Sequence, residues 1–170
     1  DPELEEGILA NLKKMKSGDI VIMRIAARMM SEISALHWSP QVAVFTSIPV
    51  DPSFEIISHQ TYNNYVIGND HVIDAVRASG FQSKAKMLRT KSSIIPDHWL
   101  PNARTSFDNE NAALAMEAAR IFKVSDEAAE PLFYSWKPLK GHLELVKKVR
   151  NVEFINDSSS TTPTAAMQSM

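Results

Sequence analysis

His37, His59, His71, His98 and His142 are the residues most able to do proton or metal chemistry in this chain, and they are dispersed along it. Their spacing supports no dedicated metal site, so no metal ligand and no catalytic residue is assigned from them. The glycines Gly7, Gly18, Gly68, Gly80 and Gly141 are isolated, and none precedes a Lys-Ser or Lys-Thr pair. A backbone cradle for phosphates is therefore not visible in the sequence. Lys84, Lys86, Arg89 and Lys91, with Ser83, Ser92 and Ser93, form a basic and hydroxyl-rich cluster able to hold phosphate or a nucleic-acid backbone. A solvated loop or helix face is the better reading of that cluster.

The elements that would position such residues are legible in part. Residues 1–17 read as a helix: Asp1 caps it, Pro2 suits its first turn, Glu3, Glu5 and Glu6 face its positive end, and Lys13, Lys14 and Lys16 its negative end. Gly18 ends it. Ile20-Val21-Ile22-Met23 is a continuous apolar run of the kind found in a strand covered on both faces. Ile25, Met29, Ile33 and Leu36 then recur at helical spacing, and Val42-Ala43-Val44-Phe45 repeats the buried-strand pattern. Strand, helix and strand within about 30 residues form a βαβ unit, which builds a right-handed parallel sheet.

Between Pro49 and Pro101 the prolines Pro49, Pro52, Pro96 and Pro101 interrupt the pattern. There residues 61–67 read as a helix and 72–76 as ambiguous. Residues 108–122 carry the clearest helical signal, with Asp108 as the cap and Ala112, Ala115, Ala118, Ala119 and Phe122 on a close-packing face. Residues 143–149 and 152–155 alternate around Arg150-Asn151, a two-residue hairpin in which Asn151 takes the left-handed conformation. The expected fold class is α/β, a mainly parallel sheet flanked by helices with a C-terminal β-hairpin.

Composition narrows the function classes. With 170 residues, 44% of them hydrophobic, the chain has enough apolar material for one core. A formal net charge of −2 gives no basic field for nucleic acid. No apolar run reaches the roughly 20 residues a membrane span needs, and the N-terminus has no signal-peptide character, so a cytoplasmic address without membrane contact is expected. The absence of cysteine excludes disulfides and thiolate chemistry.

The order of segments says more than any one of them. Asp19-Ile20-Val21-Ile22-Met23, Ser39-Pro40-Gln41-Val42-Ala43-Val44-Phe45-Thr46-Ser47-Ile48, Tyr62-Asn63-Asn64-Tyr65, Asn109-Glu110-Asn111-Ala112-Ala113-Leu114-Ala115, Gly141-His142-Leu143-Glu144-Leu145-Val146 and Val152-Glu153-Phe154-Ile155-Asn156-Asp157-Ser158 occur in that order. In this the chain resembles the central ATP-binding domain of the Mur ligases, most closely the D-glutamate-adding branch. The likeness runs over about residues 19–163 and is weak and shortened around 70–104.

The resemblance implies ATP and magnesium as cofactors and an acyl phosphate as intermediate, in the service of peptidoglycan precursor synthesis. It also implies that the described segment order covers only the distal part of that domain. Residues 1–157 are then a partial central domain, and 158–170 a linker or tail toward an absent C-terminal domain. The residues carried over are uneven. Where the family holds magnesium with a glutamate this chain has Arg24, followed by Ile25, Ala26 and Ala27. Thr46 is kept at the end of the second strand, but the following asparagine is Ser47, and the Asp-His pair becomes Asp51 and Pro52. The carbamylated lysine falls near Asn69.

On the adenine side Asn111 is kept from a His-Asn-x-x-Asn motif, and His142 from a His-Arg pair whose arginine is Leu143. Asp157 is kept from the segment leading to the third domain, whose lysine is lost. Thr46, Asn111, His142 and Asp157 are thus the expected nucleotide-binding residues, with magnesium doubtful. Such replacements imply a chain that does not turn over ATP by itself. Whether it is a fragment, a degenerate paralogue or one part of a split protein stays open, as does its status as an enzyme. A missing N-terminal segment or a protein partner is expected at its open sheet edge, the alternative being a non-catalytic interaction module on a degenerate ligase scaffold.

Overall fold

The computed structural model describes residues 14–26, 29–48, 53–158 and 160, and its architecture is α/β. A short helix α1 (Met30–Ser34) precedes strand β1 (Val42–Val44). A 3-10 turn (Ser53–Ile57), strand β2 (Tyr65–Gly68), helix α2 (Asp70–Ala78) and strand β3 (Lys86–Arg89) follow. Beyond two further 3-10 turns come the long helix α3 (Ser106–Ile121), helix α4 (Asp126–Ser135) and the hairpin β4 (Glu144–Val149) and β5 (Val152–Asn156). The sheet is parallel in the order β1-β2-β3, with Val42 opposite Tyr65 and Tyr65 opposite Lys86.

The central strand explains the first core. Val66 and Ile67 are 0% exposed because β2 is paired on both sides and covered on both faces. Ala43, Phe45, Phe54, Ile57, Val72, Ile73 and Val76 close that core between the sheet, the first 3-10 turn and α2. A second core joins Ile95, Trp99 and Leu100 to Ala112, Ala113 and Met116 of α3 and Ala129 of α4.

Several local expectations change. Residues 61–67 are not a helix: Tyr65–Gly68 is β2, and the run before it is a turn in which the Asn64 carboxamide oxygen accepts from Thr61. The ambiguous 72–76 lies inside α2, capped by Asn69, whose Oδ1 accepts the Val72 N–H at 3.0 Å. The apolar run 20–23 joins no ladder among the described residues, and Ile22 is 92% exposed. An apolar run becomes a strand only where a neighbour takes up its N–H and C=O groups. The helix expected over 25–36 is confined to Met30–Ser34.

The cap of α3 is Thr105, not Asp108; Asp108 answers it from three residues on, completing a capping box. The buried face of α3 is Ala112, Ala113, Leu114 and Met116, whereas Ala115 and Phe122 are exposed. In the hairpin turn Arg150, at φ 55°, takes the left-handed conformation instead of Asn151. The opening helix falls on residues 1–13, and most of 158–170 likewise lies outside the described residues, as do Asp51 and Pro52.

Within the basic cluster Lys86 and Arg89 fall on strand β3 and not on a loop or helix face, and three of its members have partners within the fold. Lys84 and Lys86 lie over the rings of Tyr62 and Tyr65, at 6.0 and 5.4 Å from their centroids. Arg89 ties the end of β3 to α2 through Asp70 and Asp74.

Two outcomes follow for stability. A Cβ added at Gly68 would sit 2.7 Å from Val72 Cγ1. Because Val72 is β-branched and fully packed, Gly68→Ala lowers unfolding free energy by about 1–3 kcal/mol in urea titrations. The hydrogen bond from Arg89 holds the Asp74 carboxyl below its ordinary value. A depressed carboxylate contributes stability at neutral pH that is lost as pH falls through its folded value. The thermal midpoint therefore declines below about pH 4, and Arg89→Met blunts that decline.

Candidate functional site

The capping box determines which side of α3 faces the cleft described below. Asp108 Oδ2 accepts from the backbone N–H groups of Arg104 and Thr105, at 2.9 and 3.0 Å, and from Thr105 Oγ1. The Asp108 N–H donates in return to Thr105 Oγ1. With the start of the helix pinned, Asp108, Asn111, Ala112 and Ala115 fall at i, i+3, i+4 and i+7, a single stripe. That stripe floors a cleft of about 500 Å3. The volume lies within the roughly 300–1,000 Å3 of small-molecule sites.

The opposite wall comes from α4 and the turn before β4. Ser125 caps α4 by accepting the Ala128 N–H, and Phe133 near its end stacks on Trp99 with centroids 6.0 Å apart and planes 22° apart. Asn102 Nδ2 donates to the Trp136 carbonyl at 2.8 Å. Phe133 and Trp136 are thus held as cleft walls, and Phe107 adds a third ring.

Residues 138–143 complete the site. Gly141 and Leu143 have φ of 81° and 43°, so this turn uses two left-handed residues in close succession. Glycine takes that conformation freely and leucine does not. Three hydrogen bonds hold the turn: the His142 N–H to the Leu139 carbonyl at 3.0 Å, the Gly141 N–H to Glu144 Oε2 at 3.0 Å, and the Leu143 N–H to Asp157 Oδ1 at 3.3 Å. Asp157 Oδ2 also accepts from Ser160 Oγ at 2.6 Å. His142, Leu143 and Asp157 all line the cleft.

Three of the four expected residues, Asn111, His142 and Asp157, therefore meet at one place although 46 positions separate the first from the last. Thr46 does not line that cleft; it is exposed just past β1, after Phe45, whose N–H donates to the Ile67 carbonyl. Asn69 is absorbed in structure, since its Oδ1 caps α2 and its Nδ2 donates to Glu110 Oε2 at 3.3 Å. Arg24 is exposed.

Sequence reasoning passed over helix α4 and the aromatic wall it supplies. The signal was present in Ser125-Asp126-Glu127, a cap followed by acids, but Pro131 within the helix hid the pattern. It also passed over the meeting of His37 and His59, whose Nδ1 and Nε2 stand 3.3 Å apart. Neither of these lines the cleft.

No protein-family model matches the chain. Among curated proteins it is 25% identical over 168 residues to the UDP-N-acetylmuramoylalanine--D-glutamate ligase of Oenococcus oeni, covering 81% of this chain and 38% of that protein. It is 25% identical over 155 residues to the enzyme of that name from Aquifex aeolicus, covering 86% of this chain and 36% of the relative. The corresponding ligase of Lawsonia intracellularis is 21% identical over 159 residues, again with 86% of this chain covered. The chain is similar to part of a Mur ligase. It spans little more than a third of the length of these relatives.

A Mur-ligase-like segment would meet ATP and magnesium differently. An aromatic-walled cleft with a carboxamide at its floor fits a purine base, because an amide both donates to and accepts from a purine edge. Among the described residues no group of three or more His, Asp or Glu side chains is placed to hold a metal ion by itself.

The hold of Asp157 on the turn is open to measurement. Asp157→Ala removes the acceptor for the Leu143 N–H, and amide hydrogen exchange at residues 141–143 should speed up by about tenfold while the protection of α3 is unchanged.

Proposed function

We propose that the chain is the nucleotide-binding segment of a Mur-ligase-like, D-glutamate-adding amide ligase serving peptidoglycan precursor synthesis, and that alone it binds adenine nucleotide without turning it over. The observation that carries this reading is the convergence of Asn111, His142 and Asp157 on one aromatic-walled cleft. In it the base lies against Phe107, Phe133 or Trp136, the Asn111 carboxamide reads its edge, and His142 closes the site from the turn that Asp157 fastens.

Turnover asks for more than base binding. Phosphoryl transfer to a carboxylate requires cations that neutralise the charge developing on the transferred group. Arg24 is a cation where the family places an acid, and Asn69 is engaged in capping α2 and bonding Glu110. The residues of the cleft thus bind and orient, and the phosphoryl chemistry is left to groups beyond them. A cytoplasmic setting follows from the same reading, and no helix among the described residues is long and apolar enough to cross a membrane.

Calorimetric titration with adenosine tests the proposal: the full chain binds it in the millimolar to micromolar range, Asn111→Ala weakens binding by about tenfold, and phosphate release from ATP stays at background. Adenosine binding indifferent to Asn111, or magnesium-dependent ATP hydrolysis stimulated by D-glutamate and the muramoyl substrate, would overturn it.

A second reading has its own observation. The run 20–23 and the hairpin residues Val146, Val152 and Phe154 are apolar and more than 40% exposed. An interaction module that covers these with a partner would associate; a clean monomer by light scattering at micromolar concentration counts against it.

A further inference from the structure

Resting on the reading of the cleft as a nucleotide site, we propose that Arg104 recognises the phosphate of the ligand, so that the cleft selects a nucleoside phosphate over a nucleoside. Arg104 lines the cleft described above and also a second one of about 580 Å3, the two meeting at Arg104, Pro138 and Leu143. It therefore stands where a ligand seated on the α3 stripe would leave the first cleft.

The side chain is free to act. Among the described residues its guanidinium makes no hydrogen bond, unlike Arg89 and Arg120, each of which is held by two carboxylates. Its backbone is fixed all the same, through the N–H donated to Asp108. The carboxylates that line the two clefts accept other hydrogen bonds. Asp108 Oδ2 takes the donors of the capping box, and Asp157 receives Leu143 and Ser160. Glu144 Oε2 receives Gly141 and Asn156.

Glu153, which lines the second cleft with Arg104, is a competitor. Its carboxyl is held below its ordinary value first by Lys148, which donates to it at 2.9 Å, and least by the charge of Arg104. Among the described residues no carboxylate is hydrogen-bonded to the Arg104 guanidinium, whose planar set of donors matches two oxygens of a phosphate. Leu143, on the same boundary, supplies no charge, which leaves Arg104 as the cation shared by the two clefts. Lys137 lines only the second.

Titration of the full chain with adenosine, ADP and inorganic pyrophosphate at two ionic strengths tests this. Wild-type chain binds ADP about tenfold or more tightly than adenosine, and that preference shrinks at high salt. Arg104→Ala and Arg104→Gln bring ADP to within about twofold of adenosine and leave adenosine affinity unchanged; neither removes a hydrogen bond of the fold, and thermal melts verify it. Retention of the ADP preference in both variants overturns the inference, as does equal wild-type affinity for ADP and adenosine, with the nucleotide reading intact in either case. Failure of the wild-type chain to bind adenosine or ADP overturns that reading and the inference together.

Discussion

Everything at the cleft depends on where α3 begins. The reciprocal bonds between Thr105 and Asp108 satisfy donors that a helix start otherwise leaves open, and they do so at one residue only. Moving that start by a single position would rotate the helix by about 100°. Asn111 and Ala115 would then leave the cleft, and the buried contacts of Ala113 and Met116 would go with them. The cap therefore couples the packing of the second core to the lining of the cleft: one face of α3 is buried against Ile95, Trp99 and Ala129, and the adjoining stripe lines the cleft.

A second fastening works from the other side of the cleft. Asp157, at the end of the hairpin, reaches back across 14 residues to the Leu143 N–H and so holds a turn that contains a leucine in an unfavourable left-handed conformation. Strain of this kind, of order 1–3 kcal/mol, persists only where the surroundings over-determine it. Here the hydrogen bonds of Gly141, His142 and Leu143 do so together. The result is a site made by two segments far apart in sequence, each locked by local bonds of its own.

How much of this was visible beforehand differs from element to element. The α/β class with a mainly parallel sheet was expected, and the long helix and the hairpin were legible from a period or a turn signal. Of the three strands of the sheet only β1 was read as one; β2 was read as helix and β3 as a loop or helix face. Two short runs show where legibility ends. Ile20-Val21-Ile22-Met23 and Tyr65-Val66-Ile67 look alike as apolar runs, and the first reads as a strand and the second as the end of a helix over 61–67. The structure pairs the second on both sides and leaves the first without a ladder among the described residues. Periodicity does not separate such short runs, since pairing with distant residues decides them. Of the residues that line the cleft, Asn111, His142 and Asp157 were singled out through the order of segments, while the aromatic wall of α4 and the place of Arg104 emerge only from the fold.

The central claim is the location of the base. Crystals of the chain grown with ADP test it most directly. The account predicts the purine ring against the Asn111 and Ala115 stripe of α3, walled by Phe107, Phe133 or Trp136, with the turn at His142 closed over it. Nucleotide bound instead at the carboxyl edge of the sheet, beside Thr46 and Asn69, with this cleft empty, would contradict it.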